Sequence, residues 1–189
     1  MGQYWIPINL SKREYLRPHK LGTGLKLWEQ LASSPGTGAA LIILTAAMPE
    51  TRGGGDFDLD KNWHGPERTN KPEYNAMPAP MPEEYQEIAK RTIGRWAGDR
   101  IAIVGDYAEL SDLPQKFNAD LIYGLCGKSE EEIKDWADGN EKEDPMLADR
   151  IRGSKPFKDI TDDVCRVIEH ELNGKFDGSG WRKFKQKEE

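Results

Sequence analysis

At 189 residues the chain has room for one substantial core, and a second complete domain would be cramped, so one domain over 1–189 is expected. With 37% hydrophobic and 32% charged residues and a mean hydropathy of -0.78 it is polar, but its strongly apolar runs argue against global disorder. A net charge of -6 and a pI near 5.3 argue against a basic footprint for duplex nucleic acid, and Cys126 and Cys165, without CxxC spacing, suggest neither a disulfide scaffold nor a zinc site.

Gln3 to Leu10 carries β-branched and aromatic residues that predict a first strand, with Pro7 placing it at an edge or bulge. Gly22-Thr23-Gly24 punctuates the chain before Leu25, Trp28, Leu31 and Ala32, whose spacing predicts a short helix ended by Ser33-Ser34-Pro35-Gly36. The continuous apolar run Ala39 to Leu44 reads as a central strand covered on both faces. From 49 to 82 glycines and prolines accumulate and apolar residues thin out, which predicts a long loop excursion.

Pro82-Glu83-Glu84 then starts a helix whose stripe is Tyr85, Ile88, Ala89, Thr92, Ile93 and Trp96, closed by Gly98. Arg100 to Gly105 follows as a short apolar strand. Leu110 to Asp144 is polar with sparse apolar anchors and reads as peripheral helical turns, with a capping box at Ser129. Ile160, Val164, Val167, Ile168 and Leu172 mark a helix capped by Asp159 or Thr161 and ended by Asn173-Gly174, and 181–189 is a charged tail. Together these elements predict an α/β (or α+β) fold, a small central sheet with packed helices and long surface loops.

Three blocks have a familiar form: Met1-Gly2-Gln3-Tyr4-Trp5-Ile6-Pro7, Gly24-Leu25-Lys26-Leu27-Trp28-Glu29, and Arg95 through Tyr107. They resemble an uncharacterised family of small bacterial and phage proteins with an MGQYY-like start, a GLKLxE segment and a VGDYA element. This chain departs from that pattern by Trp5 in place of the second Tyr and by acidic insertions around Asp56 and Asp135. The resemblance implies a shared fold, carries over no catalytic residue, and implies that the first strand, the first helix and Gly105-Asp106-Tyr107 meet in space.

Several segments carry chemistry. Gly22, Thr23, Gly24 and Lys26 put flexible backbone, a hydroxyl and an ammonium at a helix start, an arrangement that suits an anion, although neither the third glycine of a dinucleotide fingerprint nor a P-loop ending is present. Asp106 and Tyr107 follow an apolar strand, where open α/β sheets hold ligands; an Asx turn is the plainer explanation. Arg95, Trp96, Asp99 and Arg100 combine an aromatic surface with guanidiniums and a carboxylate, able either to clamp a planar or phosphorylated ligand or to tighten a turn.

Asp56, Asp58, Asp60, Asn62, His64 and Glu67 follow calcium-loop spacing, but Lys61 stands where that loop needs Gly, so no metal site is assigned. His19, His64 and His170 lack a nucleophile partner, and neither a catalytic group nor a cofactor is assigned.

The chain has no signal-peptide pattern and no apolar run long enough to span a bilayer, so a soluble cytoplasmic protein is expected. The leading expectation is a domain that binds a small anionic or nucleotide-like molecule between the Gly22–Lys26 turn and the 95–107 segment. The alternative is an accessory or inhibitor protein that meets a protein partner through an acidic surface.

Overall fold

The computed structural model describes residues 3–32, 36–47 and 83–171. The 49–82 excursion with its acidic loop, the Ser33–Pro35 stop, the 181–189 tail and the Asn173-Gly174 helix end all lie outside these residues.

β1 (Trp5–Asn9) turns through Ser11–Arg13 into β2 (Glu14–Tyr15), and Arg13 takes φ 54° in that turn. β3 (Ile101–Gly105) pairs antiparallel with the other edge of β1, and β4 (Lys158–Asp159) pairs parallel with β2, giving the order β3-β1-β2-β4. β1 is therefore an inner strand, contrary to the edge or bulge that Pro7 suggests. The ladder explains why Pro7 is tolerated. Its nitrogen points to the β2 side, where it falls just past the end of that short strand; its carbonyl still accepts from Leu16 N–H (3.0 Å), and the next N–H on that side, Trp5, turns to the Leu25 carbonyl (2.9 Å).

Seven α-helices stand among the described residues: α1 (Leu27–Ala32), α2 (Gly36–Thr45), α3 (Glu83–Thr92), α4 (Ala119–Leu125), α5 (Glu130–Asn140), α6 (Pro145–Arg152) and α7 (Thr161–Glu171). None is long and apolar enough to cross a membrane. The run 39–44 is thus helix, not a central strand. An unbroken apolar run fits a buried strand and a buried helix equally well, and length decides between them. Here the run extends to ten residues, Ala40, Ile43 and Leu44 are buried while Ile42 is 70% exposed, and the orphan carbonyls of Ile43 and Leu44 accept N–H bonds from Gly94 (2.9 Å) and Trp96 (2.7 Å).

Two apolar cores lie on the two faces of the sheet, and together they make one α/β domain. Leu16, Leu21 and Trp96 pack with α2, α3 and α7 on one face; Ile6, Ile8, Tyr15 and Val104 pack with α4, α5 and α6 on the other. Full burial of one such side chain stabilises the fold by about 1.5–3 kcal/mol. α4 corrects the peripheral reading of 110–144, because Ala119, Leu121, Ile122 and Leu125 are all buried in the second core. The predicted caps form: Ser129 and Glu132 bond reciprocally at α5 (3.2 and 2.7 Å), and Asp159 accepts Thr161 N–H (2.9 Å) at α7.

Candidate functional site

The ten residues singled out in the sequence separate into two groups at opposite ends of β1. At its first end, Trp5 N–H binds the Leu25 carbonyl, the Gln30 amide donates to the carbonyls of Trp5 (2.7 Å) and Leu25 (3.0 Å), and Tyr4 exchanges bonds with Asp106, whose carboxylate accepts Tyr4 N–H (3.0 Å). The start of the first strand, the Leu25 turn and the Gly105-Asp106 turn therefore meet. Arg95, Trp96, Asp99 and Arg100 sit at the far end, around Asn9 and the β1–β2 turn, so no single pocket joins all ten.

The Gly-rich turn is scaffold. Gly22 takes φ 69° to close a 3-10 turn over Pro18–Leu21. Thr23 is buried, with its hydroxyl on the Pro18 carbonyl (2.9 Å) and the Thr37 hydroxyl (3.1 Å). Lys26 N–H donates to the Glu29 carboxylate (3.1 Å), and that carboxylate lies so close over Gly24 that a Cβ there would collide with it. The chain's own carboxylate thus occupies the place proposed for a bound anion, and α1 is too short to offer another. The rule that ligands gather beyond strand C-termini also fails here, since β3 runs antiparallel to its neighbour at the sheet edge. Asp106 serves the Tyr4 turn, and Tyr107 projects outward, 59% exposed.

The second group forms a closed polar staple. Glu14, buried in β2, accepts from Arg95 Nε (3.0 and 2.8 Å) and from the indole N–H of wholly buried Trp96 (2.9 Å). Burial pushes the Glu14 carboxyl up, and the bonds from Arg95 and Trp96 with the Arg95 and Lys12 charges outweigh it, holding the pKa below its ordinary value. Asp99 accepts from Lys12 Nζ (2.8 Å) and from Asn9 (2.7 Å), whose own Oδ1 accepts Ser11 and Lys12 N–H (2.9 Å each). Hydrogen bonds from Lys12 and Asn9 lower the Asp99 pKa. Arg100 N–H donates to the Ser11 hydroxyl (3.1 Å), and its guanidinium lies over Phe117. Arg95 and Trp96 are thereby committed to the fold and leave no clamp for a ligand.

The described surface holds another concavity that the sequence does not announce. A cleft of about 370 Å³ opens on the α4 side of the sheet. Its floor is Ile6, Leu25 and Tyr15, its far wall Tyr123 and Cys126 of α4 and its C-cap, and its rim Arg17, His19 and Lys20. Arg17 donates through Nε (3.0 Å) and Nη2 (2.9 Å) to the Tyr15 hydroxyl and pairs with Asp159 (2.9 Å). Its side chain stays half exposed, and Nη1 has no partner among the described residues. Gly127 makes room for it: its φ is +82°, and a Cβ there would press on Arg17 Nη2 (3.0 Å) and the Tyr15 hydroxyl (3.1 Å). Lys20 leans on Asp162 (2.8 Å) and Asp159 (3.7 Å).

Burial raises the pKa of both phenols: Arg17 opposes it at Tyr15, and Asp106 adds to it at Tyr123. Burial likewise pushes the Cys126 thiol up to about 12 against the pull of Arg13 and Arg17. At neutral pH the thiol and both phenols are protonated, so the cleft offers hydrogen-bond donors and no sulfur nucleophile. Among the described residues no cluster of His, Cys, Asp or Glu is arranged to hold a metal.

The acidic surface proposed for a protein partner is partly spent internally. Arg152 gathers Asp138 (3.3 Å), Glu141 (2.7 Å) and Asp149 (3.0 Å), and Glu132 caps α5.

Arg17, Tyr15, Tyr123 and Cys126 escape sequence reasoning because no spacing links them. The one available signal is the pair of basic residues His19 and Lys20 just before the glycine turn. Comparison with family models, with curated proteins and with solved structures returns no match.

Proposed function

We propose that the protein binds a small molecule with an anionic group on a planar or apolar body, of nucleotide-like character, in the cleft between the β1–β2 hairpin and α4. One observation carries this reading. In a chain of net charge -6, a cleft with an apolar floor places Arg17, His19 and Lys20 together on its rim. Arg17 is already oriented by Tyr15 and Asp159, so little side-chain freedom would be lost on docking a phosphate or carboxylate. The ring of Tyr123 and the side chains of Ile6 and Leu25 offer the ligand body an apolar seat. The protonated thiol and phenols favour binding over nucleophilic chemistry, and the two unpaired cysteines fit a reducing, cytoplasmic setting.

A thermal-shift screen against nucleoside phosphates, aromatic phosphates and aromatic carboxylates tests this, since a ligand selective for the folded state raises its melting temperature. The expected result is a shift with phosphorylated aromatics that Arg17→Ala abolishes and Lys26→Ala leaves intact. A shift that survives Arg17→Ala, or a flat screen across these classes, overturns the assignment.

A further inference from the structure

Among the described residues β3 ends the sheet, and its hydrogen-bond parity is fixed by its flanks. Asp106 N–H binds the Tyr4 carbonyl (3.0 Å) and Leu10 N–H binds the Arg100 carbonyl (2.8 Å). Arg100, Ala102, Val104 and Asp106 therefore turn their backbone groups to β1, and Ile101, Ile103 and Gly105 turn theirs outward. Among the described residues the N–H groups of these three have no partner; the Gly105 carbonyl takes a local bond from Ala108 (3.2 Å). No lysine, proline or bulge interrupts the edge, and Ile103 is 37% exposed on it. Protein sheets usually blunt such an edge, because it is a template for another strand.

The sequence of this edge is complementary to itself. Arg100 and Asp106 stand equally far from Ile103, on either side of the apolar run Ile-Ala-Ile-Val-Gly. Antiparallel pairing with an identical strand about a two-fold axis through Ile103 sets Arg100 of each copy opposite Asp106 of the other. It also brings the outward N–H and C=O groups of the two Ile103 residues face to face. Shifting the strands to the next matching register would place Arg100 opposite Val104 or the partly buried Ala108 and forfeit both ion pairs. A groove of about 260 Å³ beside the edge, lined by Trp5, Ile103, Ala108 and Leu113 among others, leaves space for the partner's Ile103. We infer that β3 pairs with β3 of a second copy in this register, joining two sheets of the order β3-β1-β2-β4 into one continuous sheet.

Sedimentation equilibrium of the full chain from the micromolar to the millimolar range tests this. The wild-type mass is expected to be that of a dimer. Arg100→Asp and Asp106→Arg each set like charges across the axis and are expected to weaken association at least about tenfold. An equimolar mixture of the two variants has only opposite charges across the axis and is expected to regain the dimer mass. Ile103→Pro removes an outward donor while leaving every β1 bond in place, so it is expected to give a monomer that melts near the wild-type temperature. A wild-type monomer throughout the range overturns the inference, as does a dimer that persists in both Arg100→Asp and Ile103→Pro.

Discussion

Glu14 and Tyr15 are neighbours in a two-residue strand, and the pleat sends them to opposite faces of the sheet. Each meets an arginine. On Glu14's side Arg95 grips the carboxylate with Nε and Nη2, Trp96 adds its indole N–H, and the carboxylate itself is buried. On Tyr15's side Arg17 rests on the phenol and on Asp159, half exposed, above a cleft. The same ingredients, a guanidinium with an aromatic and an acid, make a structural staple where every side-chain nitrogen is bonded and an open rim where, among the described residues, Arg17 Nη1 is not. What separates the two is depth and saturation of the hydrogen bonds, not residue type.

The contrast breaks first at Glu14. Glu14→Ala leaves the buried Trp96 indole without an acceptor and removes the carboxylate that pairs with Arg95, and a loss of about 3–5 kcal/mol is expected in denaturant unfolding. If that variant is nearly as stable as the wild type, the staple is not what holds the hairpin to Trp96. pH sharpens the same point. The Glu14 pKa is depressed from its ordinary 4.5, so its contribution is fully present above that value and is lost as pH falls to and through the folded-state value. The stability gap between wild type and Glu14→Gln is therefore expected to be widest at neutral pH and to close in acid; a gap constant with pH would deny the carboxylate its role.

On the open side smaller stability effects and larger functional ones are expected. Gly127→Ala forces a side chain into φ +82° against Arg17, costing about 1–2 kcal/mol by thermal melts and displacing the guanidinium. Its ligand-induced melting shift is expected to vanish along with that of Arg17→Ala. Arg17→Ala itself, losing exposed contacts, is expected to cost less than about 1 kcal/mol in the absence of ligand. A large loss there would make Arg17 a second staple.

The elements legible in the sequence are those whose signals are local. The stripe and cap of α7, the Ser129 box and the apolar β1 and β3 are each contained in a dozen residues. The run 39–44 reads as a strand because an all-apolar run carries no period, and its helical state is completed by N–H donors from Gly94 and Trp96 far along the chain. β2 and β4 are too short to show a pattern. Much of the site is written in long-range pairs: Arg95 with Glu14, and Arg17 with Thr161 and Asp159. In the sequence Arg95 and Trp96 look ready for a ligand because Glu14, which consumes them, sits in an ordinary polar stretch.

The parallel pairing of β2 with β4 has a further bearing, on the order of assembly. The β1–β2 hairpin closes from neighbouring residues, β3 joins only after the chain has passed Gly105, and β4 only after Asp159. Contacts so distant in sequence slow folding, and on the ribosome the inner hairpin would wait with both flanks bare until the two outer strands emerge. The rim of the cleft, which leans on Asp159 and Asp162, is thus among the last parts of the described structure to form during synthesis.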